Sequence, residues 1–221
     1  MYNITLISTE HRESGKCNTS ELHKIIESIS PEVIFEEETN DERYQKYYNE
    51  ENSYNSLEIQ CIKKYLLNHD IKHVPVDAEP NQYLTFQEWD YMFDTFKKYS
   101  AYNQIVKEHC TLRDREGFSY LNSEACMEIH EKMKITERQL IEFSGINKSE
   151  LLRIYKLFHK EHDFREGTMI LNIYNYSKEN QYNKAVFLIG YAHRKSITQK
   201  IIEYEKRENL ELIWTFYNDH I

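Results

Sequence analysis

The hydrophobic and polar positions in the first third of the chain alternate between two periodicities. Short runs rich in branched apolar residues, such as NITLIS at 3–8, are typical of buried β-strands. Between them lie segments such as TSELHKIIES at 19–28, in which apolar residues recur with helical spacing. The pattern predicts strands at 3–8, 32–36 and 71–77, with helices at 19–28 and 53–69.

The alternation stops at about residue 84, and only helical patterns follow until about residue 165. Beyond it, the pattern predicts a helix at 165–180, a strand at 184–190, a helix at 196–208 and a last strand at 210–218. Helix starts are indicated where a polar acceptor precedes a Glu or Gln by three residues, because both side chains can bind free amides of the first turn. Such capping boxes are Thr85 with Glu88, Thr136 with Gln139, Asn147 with Glu150 and Ser196 with Gln199.

Strands that alternate with helices predict a parallel sheet with right-handed crossovers. The 221 residues suit one domain. We therefore expect a single α/β domain over 1–221, with a mostly parallel central sheet flanked by helices. The region 84–164 is predicted to be an all-helical insertion that forms a lid or a wall over a substrate site. The insertion also offers a surface for oligomerisation, which the sequence does not decide.

The charge of the chain narrows the class of partner. Lys and Arg total 28 against 37 Asp and Glu, for a formal net charge of −9. An acidic chain argues against a nucleic-acid partner, because binding phosphates requires a basic face. No apolar run approaches the about 20 residues that cross a bilayer, so no membrane partner is expected.

The cysteines and the N-terminal segment predict a location. The four cysteines, at 17, 61, 110 and 126, show no metal-ligand spacing such as C-x-x-C. The segment MYNITLIST lacks the basic start and the long apolar run of a secretory signal. Together these features predict a cytoplasmic protein with free thiols.

Ionisable residues stand at the ends of four predicted strands. They are Glu10 and His11, then Glu36, Glu37 and Glu38, then Asp77 and Glu79, and finally His193 and Arg194. Ligands bind outside the carboxyl ends of the strands in an open parallel sheet, so these side chains are candidates for one site. Two imidazoles with carboxylates can hold a divalent metal ion, and a His beside a carboxylate can act as a general base. Taken singly, each residue is also an ordinary polar end to a strand.

The sequences at two of these strand ends resemble motifs of a known superfamily, that of TraB/Tiki proteins, erythromycin esterases and ChaN-like proteins. Its mark is a pair of G-x-x-H motifs at strand ends, one near each end of the domain. GYAH at 190–193 matches the second motif, and STEH at 8–11 resembles the first, with Ser8 in the glycine position. The resemblance covers roughly residues 1–80 and 160–218.

Three further segments add to the resemblance. EVIFEEE resembles the strand that carries the family's Glu, which gives that role to Glu36 or Glu37. HVPVDAEP resembles the segment that ends in Asp-Arg in TraB relatives, with Ala78 in place of the Arg. FREGTMILNIYN resembles the family helix with an Arg and a Met four residues apart, here Arg165 and Met169.

The resemblance implies a hydrolase of a peptide or an ester. Members with known activity are proteases that resemble metal-dependent enzymes, and esterases with a catalytic His, whereas ChaN-like relatives bind haem. The catalytic residues would be His11, Glu37, Arg165 and His193. In one form of the hypothesis, His11, Glu37 and His193 bind a divalent metal ion. In the other, no cofactor is present and one imidazole serves as the base.

Three other residues are expected to bind or orient ligands. Glu36 and Asp77 would orient the imidazoles, and Arg194 would join Arg165 in neutralising a carboxylate or a developing oxyanion. The alternative hypothesis is a non-catalytic module that binds a small ligand in the same cleft, or a protein through the insertion. Convergence of the two histidines on Glu37 would favour the enzyme, and their separation would favour the module. The sequence does not identify the substrate, whether peptide, ester or other small molecule.

Overall fold

The computed structural model describes residues 2–49, 56–79 and 83–218. The strands are β1 (Tyr2–Thr9), β2 (Val33–Thr39), β3 (Lys72–Asp77), β4 (Lys184–Gly190) and β5 (Leu212–Phe216). The helices are α1 (Thr19–Ile29), α2 (Glu42–Asn49), α3 (Leu57–Leu66), α4 (Phe86–Phe96), α5 (Ser100–Glu116), α6 (Phe118–Leu121), α7 (Glu124–Phe143), α8 (Lys148–Glu179) and α9 (Arg194–Glu205). Single turns of 3₁₀ helix at Gly145–Asn147 and Tyr191–His193 precede α8 and α9.

The described strands form one sheet in the order β3-β2-β4-β1-β5, and every neighbouring pair is parallel. The predicted α/β fold with a parallel central sheet is confirmed. β4 lies in the middle, and its residues from Ala185 to Gly190 are all buried. A strand covered on both faces needs apolar residues throughout, which explains why KAVFLIG shows no alternation.

Helices cover both faces of the sheet and bury different residues of each strand. On β1, Ile4 and Leu6 belong to one core and Ile7 to the other, because successive side chains point to opposite faces. The core around Ile4 is completed by α8 and α9. The core around Ile7 is completed by α1, α3 and the helices between 86 and 143, so the helical region packs on one face of the sheet.

Helix α8 joins the helical region to the sheet without a break. It has 32 residues, and Leu151 near its start lies in the Ile7 core whereas Met169 and Ile173 lie in the Ile4 core. The predicted helix start at 165 is therefore wrong, because the helix begins at Lys148. The predicted boundary of the insertion, at 164, falls inside this helix.

Two helices follow β2 where the sequence pattern predicts one. The predicted helix at 53–69 is observed as α3, and its first residues, 53–55, lie outside the described residues. Helix α2 is an additional element with a single buried side chain, Tyr44, and so carries little apolar periodicity.

Of three predicted capping boxes, only the one at the start of α4 forms. Thr85 and Glu88 form the predicted reciprocal pair at the start of α4. Thr136 lies inside α7, so no helix starts there. Asn147 does precede α8, but its side chain makes no capping hydrogen bond.

Candidate functional site

Gly190 lies at the centre of the carboxyl edge of the sheet, where β4 ends. A Cβ atom built on it would lie 3.3 Å from Glu37 Oε2, 3.6 Å from His193 Cδ2 and 3.7 Å from His11 Nε2. Its own amide donates a hydrogen bond to Glu37 Oε2 at 2.7 Å. The three side chains predicted to converge thus surround one glycine, whose missing side chain leaves room for them.

His193 is held at both ring nitrogens by buried carboxylates. Its Nδ1 lies 2.7 Å from Glu166 Oε1, and its Nε2 lies 3.3 Å from Glu37 Oε1. The residue is 5% exposed. Burial would lower the pKa of His193, but the two carboxylates outweigh burial and raise this pKa to about 9. The imidazole is therefore a buried cation at neutral pH, enclosed by two anions.

The negative charge of Glu37 is balanced by Arg165 in addition to His193. Arg165 Nη2 donates to Glu37 Oε1 at 3.0 Å, and Arg165 Nε donates to both Asp77 oxygens, at 3.1 and 3.0 Å. Burial would raise the pKa of Glu37, but the surrounding cations, His193 foremost, hold it well below its usual range. Asp77 therefore orients Arg165, which differs from the expectation that Asp77 orients an imidazole.

His11 stands at the rim of the site. Its Nδ1 lies 3.4 Å from Glu58 Oε1, and its side chain is 57% exposed. Thr9 Oγ1 donates to the same Glu58 oxygen at 2.6 Å. The hydrogen bond with Glu58 is the main reason that the pKa of His11 is raised to about 9. Glu58 thus holds His11 with its Nε2 near Gly190.

Glu36 lines the same small pocket as His11, but its hydrogen bonds go to other residues. Its Oε1 accepts hydrogen bonds from Tyr44 Oη at 2.5 Å and lies 3.1 Å from His73 Nδ1, while Tyr48 Oη donates to its other oxygen. Glu37, by contrast, pairs with His193 and Arg165, so the two adjacent glutamates have different partners. The structure places Glu36 in a network that ties β2 to α2 and β3, which corrects its predicted orienting role.

Arg194 is also placed outside the cleft. The residue is 2% exposed, and its Nη1 donates to Asn122 Oδ1 at 3.0 Å. Its guanidinium lies 5.5 Å from the centre of the Phe216 ring. Because α9 begins at Arg194 rather than at Ser196, the helix turns this side chain into the protein. Its position corrects the expectation of a cation that faces ligand, and it joins α9 to the turn before α7.

The sequence pattern did not single out two residues of α8, His162 and Glu166. They are one helical turn apart, so both project from the same face of the helix towards His193. The His162 ring stacks on the His193 ring, with centroids 4.9 Å apart and planes at 22°. Glu166 also accepts a hydrogen bond from Ser196 Oγ at 2.5 Å. The available signal was the H-x-x-x-E spacing directly beside Arg165.

His162, Glu166 and His193 form a group that could hold a metal ion. Each offers one ligand atom, and these atoms all lie within 4.8 Å of one another. Burial lowers the pKa of His162 to about 2, so its ring is neutral, as a metal ligand must be. The group shares His193 with the ligand set predicted from the sequence but contains neither His11 nor Glu37.

The open volume beside the site differs greatly between its two sides. On the side of His11 and Glu37, the pocket measures about 10 Å³, room for about one water molecule. Beside His162 and Glu166, a cavity of about 380 Å³ opens, with α4, α5 and α7 contributing to its wall. Another cavity, of about 690 Å³, adjoins Asp77 and Arg165 but is lined by neither His193 nor Glu166. Of the residues in contact with His193, Glu166 and His162 are the ones that line the cavity of about 380 Å³.

No family model, curated protein or solved structure matches this chain. Within the described ranges, none of the helices combines the length and the apolar character needed to cross a membrane.

Proposed function

We propose that the protein is a hydrolase that cleaves an ester or a peptide bond in the cavity beside Glu166. The observation that carries the proposal is the buried row Glu166–His193–Glu37, whose first carboxylate lines a cavity of about 380 Å³. A buried imidazole with carboxylates at both nitrogens costs desolvation energy that a purely structural residue need not incur.

The proposed chemistry is proton transfer at the cavity wall. Glu166 lines the cavity and is also paired with His193, so its carboxylate is placed to take a proton from attacking water. His193 stabilises that carboxylate from behind the cavity wall, and Glu166 is placed to pass the proton taken from water on to the leaving group. His193 Nδ1 pairs with Glu166 Oε1, and Ser196 Oγ donates to Glu166 Oε2. Both oxygens are therefore held, which keeps the carboxylate oriented.

The remaining residues of the row support His193. Glu37 balances the imidazolium at Nε2, and Arg165 balances Glu37, so that the charges alternate through the site. The resemblance to the TraB/Tiki and erythromycin-esterase superfamily also supports a hydrolase, since its two motif histidines correspond to His11 and His193. In the metal-assisted form that was predicted from the sequence, His11, Glu37 and His193 are the ligands around Gly190.

The proposal is tested by hydrolysis assays on a panel of p-nitrophenyl esters and quenched fluorescent peptides. His193→Ala and Glu166→Gln should each lower kcat by about 100-fold or more, as expected for loss of general acid–base catalysis. His69→Ala is the matched control, because His69 pairs with Glu27 far from the sheet's carboxyl edge and its loss should leave turnover unchanged. Circular dichroism confirms that each variant is folded.

One observation favours the alternative, a non-catalytic small-ligand module. Both ring nitrogens of His193 already have carboxylate partners, so the row is a closed network before any substrate arrives. Saturable binding of a non-hydrolysable analogue without turnover of the matching ester would favour the module. Wild-type protein that hydrolyses nothing in the panel, or a His193→Ala variant as active as wild type, would contradict the hydrolase.

A further inference from the structure

The two candidate ligand sets at the site differ in how occupied their donor atoms already are. Glu37 receives Gly190 N–H at one oxygen and Arg165 at the other, so a metal ion beside it would face a guanidinium. His11 is largely exposed and its Nδ1 is paired with Glu58. An ion bound by this set would have to share Glu37 with the Arg165 guanidinium, although His11 could keep its contact with Glu58 and ligate through Nε2.

The set on the cavity side shares His193, whose two ring nitrogens are both paired, but its other histidine is less engaged. His162 makes no hydrogen bond or ion pair with any residue that the structure describes; its ring is tilted against Phe158 and stacked on His193. Glu166 engages one donor at each oxygen, and every carboxylate oxygen has a second lone pair. A dication placed here would replace the positive charge that His193 now supplies between the carboxylates.

The kind of donor restricts the kind of ion. Two imidazole nitrogens and one carboxylate oxygen are the ligands that Zn²⁺ and its neighbours prefer, whereas Mg²⁺ and Ca²⁺ prefer oxygen ligands alone. Sites in which three protein side chains bind zinc keep a further position for water or substrate. Here His162 and Glu166 both line the cavity of about 380 Å³, so that position would open into it.

We infer that His162, Glu166 and His193 bind a zinc-class transition-metal ion whose open position faces this cavity. The inference rests on the proposed function for the place of the substrate and revises two roles in it, since in the loaded form Glu166 and a neutral His193 would be ligands and not the groups that move the proton. It assigns the metal to α8 and the turn after β4, and not to the His11 and Glu37 side of Gly190. When bound, such an ion polarises a carbonyl group or acidifies a water molecule.

The experiment measures metal content directly. Chelator-stripped full-length protein is dialysed against buffered Zn²⁺, desalted and analysed for bound zinc, in parallel with Mg²⁺. We expect one zinc per chain in wild type and a loss of affinity of about 100-fold or more in His162→Ala, beyond what outer partners of a metal site contribute. His11→Ala and His69→Ala should retain the ion, because neither belongs to the group. His162→Gln repeats the test with a larger side chain if His162→Ala is unfolded by circular dichroism.

Three results would overturn the inference: no zinc in wild type, equal zinc in His162→Ala and wild type, or preference for Mg²⁺. Zinc lost in His11→Ala but kept in His162→Ala would move the ion to the other ligand set. Hydrolysis assays on the stripped and loaded forms separate this inference from the proposed function. If wild type hydrolyses a substrate but binds no zinc, only the metal inference is contradicted. If wild type binds one zinc per chain but hydrolyses nothing, only the proposed hydrolase activity is contradicted.

Discussion

Gly190 sets the spacing of the site at the scale of single residues. Glu37, His193 and His11 all approach the place where its Cβ would be, and Glu37 also accepts its amide hydrogen. Glu37 cannot easily retreat, because Arg165 and His193 hold its other oxygen. The glycine is needed for close approach, since the backbone here has a negative φ that any residue could adopt.

Gly190→Ala is therefore expected to destabilise the protein by about 1–3 kcal/mol, as overpacking does in other cores. The matched control is Gly167→Ala in the interior of α8, where an added Cβ would meet nothing within 4 Å. That substitution should stabilise by about 0.5–1 kcal/mol, because alanine favours helix more than glycine does. Denaturant unfolding measures whether each substitution lowers or raises the free energy of unfolding. A Gly190→Ala variant as stable as wild type would show that Glu37 is free to move.

The scale of secondary-structure elements explains why local signatures succeeded in one place and failed in others. The pattern of a polar acceptor followed by Glu or Gln occurs at the start of α4 and also inside α7. Only at α4 are the first-turn amides free to be capped, because in α7 the preceding residues already continue the helix. A side chain pattern of this kind indicates a helix, and the neighbouring packing decides where the helix begins.

Thr85→Ala should cost about 1 kcal/mol of unfolding free energy, because it removes the acceptor that binds the Glu88 amide at the start of α4. Thr136→Ala carries the same sequence signature but lies within α7, so it should be neutral or slightly stabilising. Thermal and urea unfolding of the two variants make the comparison. Equal losses in both would refute the assignment of α7 as one continuous helix.

At the scale of the whole molecule, four histidines divide into two groups by their partners. His11 and His193 lie beside carboxylates, which raise their pKa values. His109 is buried and His159 half-buried, neither with a carboxylate hydrogen bond, and burial lowers the pKa of each to about 4. In this second group the unfolded chain takes up protons that the folded chain excludes, so acid acts against the fold.

His109 provides the test of this pH dependence. Its folded-state pKa of about 4 lies below the ordinary value of 6.5, so its contribution to stability is complete above the unfolded pKa and is lost as the pH falls towards the folded one. We expect up to about 1.4 kcal/mol less stability per pH unit in that window from this residue. Arg113 lowers its pKa further and Asp114 opposes this.

His109→Gln should flatten the fall in unfolding free energy measured by urea titration between about pH 6.5 and pH 4. Glutamine does not titrate and can still pair with the Tyr120 hydroxyl, which lies 3.0 Å from His109 Nδ1. His69→Ala again serves as the control, because it leaves the buried imidazole of His109 in place. An unchanged slope in His109→Gln would show that other groups govern the acid limit.

The periodicity of the chain was sufficient to predict the α/β class and the strands, because burial on both faces imposes uninterrupted apolar runs such as KAVFLIG. It also indicated His11, Glu37 and His193 as neighbours, since parallel strands end at one edge of a sheet. Arg165, which lies on a helix, was indicated only by the family resemblance. The helix boundaries were predicted less well. A single 32-residue helix crosses the place where the pattern suggested a division.

The amino-acid sequence by itself determined the sheet, the shared edge and the residue types brought to it, because these follow from local periodicity and chain direction. Only the tertiary structure decided which partners meet. Adjacent Glu36 and Glu37 serve different networks, Arg194 turns inward, and His162 and Glu166 arrive from a helix far from His193 along the chain. Such contacts depend on how α8 and the helical region pack over the sheet, which no short stretch of sequence encodes.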